Sequence, residues 1–183
     1  TVSYDGNAIK STDNEFLSSF MDKLVDNNIS FVHDIPGKIQ AEHFFFQKGM
    51  ELENTTDQGG GQNIGSLDNG DFADYYISVK NSGTYNVTYR AAADPNWSSG
   101  GQIELSIYDQ KTNSFNFLQN VLISSTNGWQ DWENTSKALN LDSGDYQIRL
   151  KILSGPFNLN WFAFDDSVSV GIPVPGYIQA EDF

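Results

Sequence analysis

Asp131 and Glu133 stand beside Trp129 and Trp132 in a chain that carries 24 Asp and Glu against 10 Lys and Arg. Paired carboxylates are what glycoside hydrolysis needs, set ~5–5.5 Å or ~6.5–9.5 Å apart across a cleft. With this many acids some pair meets such a spacing by chance. Asp131 and Glu133, two apart on an extended segment, share one face and one solvent environment. A general acid and a base need contrasting surroundings. The two histidines, His33 and His43, have no Ser–His–Asp context and read as structural or linker residues. Asp57-Gln58-Gly59-Gly60-Gly61 is glycine-rich but lacks the Lys and the following helix of a phosphate loop. Absence of cysteine removes disulfides, thiolate metal sites and cysteine nucleophiles together. The expectation is a protein that is not an enzyme.

Composition narrows the partners. The net charge of −14 repels a phosphate backbone and an anionic lipid surface, so neither nucleic acid nor membrane is expected as partner. A neutral ligand or a divalent cation suits the carboxylate excess better. Aromatic residues make up 14% of the 183, enough to build a core and to argue against a disordered acidic tail. No apolar run approaches the ~18 residues of a membrane span. Thr1–Lys10 is polar and lacks the basic start of a signal peptide, so the chain reads as a piece excised from something longer.

The elements that must hold any site fall into three stretches. In 1–34, Thr12-Asp13-Asn14-Glu15 has capping-box spacing, and Phe16, Leu17, Phe20, Met21, Leu24 and Val25 recur at helical spacing. A short N-terminal helix, the tail of a preceding domain, is expected there. From 35 to 166 helical periodicity disappears and short alternating runs follow, separated by Gly, Asn, Asp and Ser turns. Ala73, Tyr75, Ile77 and Val79 form one such face; Tyr85, Val87, Tyr89 and Ala91 form the next. Ile103, Leu105 and Ile107 follow, then Tyr146, Ile148, Leu150 and Ile152. Phe157–Phe164 carries bulky residues on both faces, as a central strand does. An all-β sandwich is predicted. Finally, Ile35–Phe44 recurs as Val174–Phe183, one sandwich length later. Self-similarity at that period predicts a tandem array, with 167–183 as linker and start of a second copy.

Several of these motifs, taken in order, resemble a known family. They are Pro36–Glu42, the loop Asp57–Gly65, Gly70-Asp71-Phe72-Ala73-Asp74-Tyr75, Gly83–Val87, Asn127-Gly128-Trp129-Gln130-Asp131-Trp132 and Phe157–Phe162. The set, covering roughly 35–165, is similar to the family 6 carbohydrate-binding modules. The resemblance implies a β-jelly-roll, calcium (Ca2+) as structural ion, and sugar binding without catalysis. It also implies a secreted, extracellular setting as a monomeric accessory module, often in tandem, linked to a polysaccharide-degrading enzyme. The expected ligand is a polysaccharide or oligosaccharide: a β-linked glucan, xylan or algal galactan. The alternatives are a hydrolase fragment with its own carboxylates, or a calcium-stabilised spacer.

A sugar ring offers C–H faces to an aromatic side chain and a rim of hydroxyls to amides and carboxylates. The resemblance implies a loop-end site in which Trp129 stacks, Asn158 donates and accepts, and Glu53 accepts. Ser66 stands where the family usually has Tyr, so one aromatic wall is missing, and Trp97 in the turn-rich 94–101 loop is the candidate replacement. Trp132 is the better candidate for the interior. A second cleft is expected around Phe72 with Glu104 and Tyr76 at its flanks. Gln40 and Glu42, two apart on a strand and so on one face, are expected to hold calcium. Asp165 is expected to close that shell from the last strand.

Overall fold

The structure, a computed structural model, describes residues 31–167 together with two N-terminal strands. These strands, β1 (Val2–Tyr4) and β2 (Phe20–Lys23), pair antiparallel within a unit spanning Thr1–Ser30. Phe20–Lys23 is thus extended where the spacing predicts helix, because pairing with a neighbouring strand overrides a local periodicity. The other positions of the expected helix lie outside the described residues. So does the expected second copy in 168–183.

The second unit starts at Phe31, and its strands build two sheets. One sheet contains β3 (Val32–Ile35), β5 (Phe46–Lys48), β8 (Phe72–Val79), β10 (Gly100–Asp109), β11 (Ser114–Ser124) and β13 (Gly144–Ser154). Its order is β11-β10-β13-β8, with β3 parallel and β5 antiparallel along the outer edge of β8. The other sheet contains β4 (Gly37–Gln40), β6 (Glu51–Asn54), β7 (Gln62–Gly65), β9 (Gly83–Ala92), β12 (Glu133–Leu141) and β14 (Asn158–Asp166). Its order is β12-β9-β14-β7-β6, with β4 also pairing β14. This is the all-β jelly-roll sandwich. It begins earlier than the expected boundary at 35: β3 belongs to it, and Ile35 is fully buried.

The alternating residues meet between the sheets. Tyr75, Tyr85 and Tyr89 are buried there with Ile103, Leu150 and Ile152. Each such side chain removed from water contributes about 1.5–3 kcal/mol. The buried hydroxyl of Tyr75 donates to the carbonyl of Ala41 at 2.7 Å, which satisfies that polar atom within the core.

β14 is central, as its bulk suggests, but for a different reason. Its register with β9 slips at one point: Leu159 faces Ala91, and Trp161 then faces Arg90. The inserted residue, Asn160, makes a bulge that resets the alternation. Phe157, Leu159, Phe162 and Phe164 therefore all enter the same core. Asn160 and Trp161 both turn away from it. Asn160 donates to Asp57 Oδ2 at 2.7 Å, and the ring of Trp161 is covered by the Lys38 ammonium at 4.1 Å.

Candidate functional site

The loops at one end of the sandwich enclose a cavity of about 430 Å3 lined by Glu53, Ser66, Trp129, Gln130, Pro156 and Asn158. Three strands and one irregular segment converge on it. β6 supplies Glu53, the end of β7 leads into Ser66, β14 begins at Asn158, and the 126–132 segment carries Trp129. That segment is pinned by Thr126, whose amide donates to the Ala93 carbonyl at 2.8 Å and whose hydroxyl accepts from the Ala93 amide at 3.0 Å. Trp132 is buried while Trp129, in a turn closed by the Asp131 amide on the Gly128 carbonyl at 3.2 Å, is only half-buried.

Asn158 is the hub. Its Nδ2 donates to Glu53 Oε2 at 3.0 Å and to the Trp129 carbonyl at 3.0 Å. Both partners are pure acceptors, so the amide can only point its nitrogen at them. Its two hydrogens are used up inside the protein, and its Oδ1 remains to face a ligand. Glu53 Oε2 also accepts from Asn63 Nδ2 at 3.3 Å, which leaves Oε1 as the freer carboxylate oxygen. The expectation that Asn158 both donates and accepts is corrected accordingly: it accepts. Gly65 makes this closeness possible, since a Cβ there would stand 2.6 Å from Glu53 Cδ and 2.9 Å from Asn158 Oδ1. Gln130 braces the wall, donating to Asn63 Oδ1 at 3.2 Å and accepting from the Thr56 amide at 2.8 Å.

Four of the expected sugar-site residues, Glu53, Ser66, Trp129 and Asn158, thus line one cavity. Trp97 does not: it is 77% exposed on the neighbouring turn and lines no part of it. Gln130 and Pro156 were missing from the expectation. Their only sequence signal is adjacency, Gln130 following Trp129 and Pro156 standing two residues before Asn158. Ser66 has φ 53°, donates to Glu51 Oε2 at 3.2 Å and leaves its side of the cavity open.

The residues expected at the second cleft share one sheet face. Phe72 and Glu104 lie on strands separated by β13, with Lys151 opposite both. The Arg149 guanidinium covers the Phe72 ring at 3.7 Å and lies 4.0 Å from Phe115 on its other side. Asp74 fixes that guanidinium with bonds of 2.7 and 2.9 Å. One face of the Phe72 ring is thus covered by a cation.

The cation-binding expectation divides. β4 ends at Gln40, and a turn closed by the His43 amide on the Gln40 carbonyl at 3.0 Å carries Glu42, so strand alternation does not align the pair. Register also removes Asp165: Gln40 faces Trp161, four residues further back along β14, or ~13 Å at the rise of a strand. Among the described residues no three His, Cys, Asp or Glu side chains gather as a metal cluster. Yet Glu42 Oε2 is buried with no hydrogen-bond partner, and Oε1 lies 3.8 Å from where a Cβ would stand on Gly61. An orphaned carboxylate oxygen beside glycine-loop backbone fits a hard cation. Nearby, Asp57 accepts two bonds from Arg90, at 2.8 and 3.0 Å, and that contact first, with the Asn160 amide, holds its carboxyl down at about 2. His33 and His43 stack with ring centres 6.2 Å apart, and burial lowers the pKa of His33.

Comparison with known proteins agrees with this geometry. A model of the carbohydrate binding module (family 6) matches residues 40–166. The chain is 34% identical over 125 residues to the clotting factor G alpha subunit of Tachypleus tridentatus, a match covering 67% of this chain and only 17% of that protein. A carbohydrate-binding module of Cellvibrio mixtus lichenase 5A, solved with cellotriose, superposes with a TM-score of 0.62 at 32% identity, over 72% of this chain and 98% of that one. A β-1,3-glucan-binding module from Bacillus halodurans superposes with a TM-score of 0.66 at 28% identity, over 74% and 99%.

Proposed function

This chain belongs to the family 6 carbohydrate-binding modules, a non-catalytic class, and from that premise we propose that its loop-end cavity holds the end of a neutral β-linked glucan. One observation carries the reading: a half-buried indole, Trp129, shares a cavity with two acceptors, the Glu53 carboxylate and the Oδ1 of Asn158, whose amide hydrogens are already committed. The indole supplies a flat face for pyranose C–H groups. Glu53 Oε1 and Asn158 Oδ1 then accept from ring hydroxyls. The Glu53 carboxylate in its lining disfavours uronates and sulfated sugars by like-charge repulsion. The module solved with cellotriose and the β-1,3-glucan-binding module support a glucan.

The absent wall at Ser66 removes one stacking contact, about 0.5–1.5 kcal/mol. A volume near the small end of the ~300–1,000 Å3 range for ligand clefts favours a chain end over a long internal stretch. In a longer protein the module would tether an attached polysaccharide-degrading domain to its substrate outside the cell, as a monomer. Calcium is part of the proposal: Glu42, with Gln40, would hold it, the remaining oxygens coming from the glycine loop and from water. Bound there it would fix the 41–42 turn against that loop, a structural role.

The test is isothermal titration of the module in calcium buffer with laminari-, cello- and xylo-oligosaccharides and with an oligouronate. Binding of a neutral glucan oligosaccharide with no oligouronate binding supports the reading. Retention of the oligouronate alone, or of nothing, refutes it.

A further inference from the structure

Beside the sugar cavity runs a second depression that no comparison assigns. It has a volume of about 520 Å3, and its lining includes Ser99, Gly100, Gly101, Leu122, Ser124 and Gly155. Gly155 belongs to this groove and the next residue, Pro156, to the cavity, so consecutive residues line the two spaces. On β11 the core side chains are Val121 and Ile123, which sends Leu122 and Ser124 to the outer surface, where Leu122 is 69% exposed.

Three glycines line the groove, and none of them can take a side chain without a clash. A Cβ on Gly100 would stand 2.0 Å from the Ile123 carbonyl oxygen, and one on Gly101 2.3 Å from that of Ser154. On Gly155 it would meet the Leu67 carbonyl oxygen at 1.9 Å. A side chain at any of the three would thus run into neighbouring protein atoms, and the lining at these positions is glycine backbone that a sugar ring can approach. Along its sides stand the hydroxyls of Ser99, Ser124, Ser125 and Ser154. None of the four takes part in a side-chain hydrogen bond among the described residues. A hydroxyl both donates and accepts, so it matches any orientation of a sugar hydroxyl. No charged side chain lines the groove.

We propose that this groove is a distal subsite that continues the cavity around its rim, so that a neutral glucan whose end sits at Trp129 lays its following units along Gly155, Gly101 and Leu122. The inference rests on the cavity reading above and extends it: the ligand is recognised over several units, by acceptors at its end and by hydroxyls and bare backbone beyond. The groove has no aromatic side chain in its lining, so it adds moderate affinity and no demand for a particular ring substituent.

The test compares wild type, Trp129→Ala and the double variant Leu122→Lys/Ser124→Lys, by titration with the laminari- and cello-oligosaccharide series from biose to hexaose. Both lysines replace outward-facing residues of β11, and a thermal melt verifies the fold. The proposal expects wild-type affinity to rise with chain length. It expects the double variant to lose five- to tenfold on hexaose while keeping its biose affinity. Equal hexaose affinity in the double variant and wild type, a uniform loss at all lengths, or wild-type affinity that is flat with length would each overturn the groove proposal and leave the cavity reading intact. No binding of any oligosaccharide by wild type, or full binding by Trp129→Ala, would overturn the cavity reading and the groove proposal with it.

Discussion

The side-chain nitrogen of Asn158 donates to Glu53 Oε2 at 3.0 Å, joining the first residue of the last strand to an early strand 105 positions away. This bond, with its companion to the Trp129 carbonyl, decides what the cavity can read. It turns an amide that could serve either way into an acceptor, and it orients a carboxylate that would otherwise turn freely.

Asn158→Asp replaces the donor by a second carboxylate facing Glu53. Loss of two hydrogen bonds to half-buried acceptors is expected to lower stability by about 1–3 kcal/mol and to end glucan binding. Glu53→Gln keeps the shape and is expected to lose at least tenfold in affinity with a smaller stability change. Urea denaturation and titration calorimetry on the same preparations check both. Unchanged binding in Glu53→Gln would remove the carboxylate from the account.

The tryptophans separate by burial. Trp132 is 7% exposed, and Trp132→Ala is expected to cost about 3–5 kcal/mol. Trp97→Ala, at a largely exposed indole outside the cavity, is expected to change stability by less than about 0.5 kcal/mol. Its affinity for a biose should equal that of wild type. A biose affinity that falls tenfold would restore Trp97 as the substitute for the wall missing at Ser66.

Low pH should find Asp57. Its carboxyl is held at about 2 in the folded chain against 3.8 ordinarily, chiefly by Arg90. A depressed acid contributes stability that is complete above the unfolded value and lost as pH falls through the folded one. The stability of wild type should therefore decline between about pH 4 and pH 2, and Asp57→Asn should show a shallower decline over that window. Parallel curves for the two proteins would contradict the pairing.

Chelation should lower the melting temperature, since a cation bound only to the native state stabilises it. Glu42→Gln should abolish the chelator effect, and Asp165→Asn should retain it in full, because register holds Asp165 away from Gln40. A melt that is insensitive to complete metal removal would end the calcium proposal.

Much of this was legible in the residues. Alternation at Tyr85, Val87, Tyr89 and Ala91 identified a half-buried strand because a side-chain period of two leaves little freedom. The ordered motifs brought Glu53, Ser66, Trp129 and Asn158 to one place. Local patterns missed what long-range register decides. The bulge at Asn160 sends Phe162 to the same core as Leu159, and nothing short of the pairing with β9 reveals it. Val32–Ile35 looked like a boundary because its partner, β8, lies some forty residues downstream and pairs in parallel. Asp165 seemed close to Gln40 because both sit at ends of the domain sequence, whereas antiparallel pairing puts Trp161 there. The Phe72 ring was read without the Arg149 that covers it.

The most direct measurement is the affinity of Trp129→Ala for a glucan oligosaccharide, taken together with its melting temperature. The account predicts that binding falls below detection while the melt stays within a degree or two of wild type. Retained affinity would contradict it, as would a collapse in stability showing that the indole of Trp129 belongs to the core.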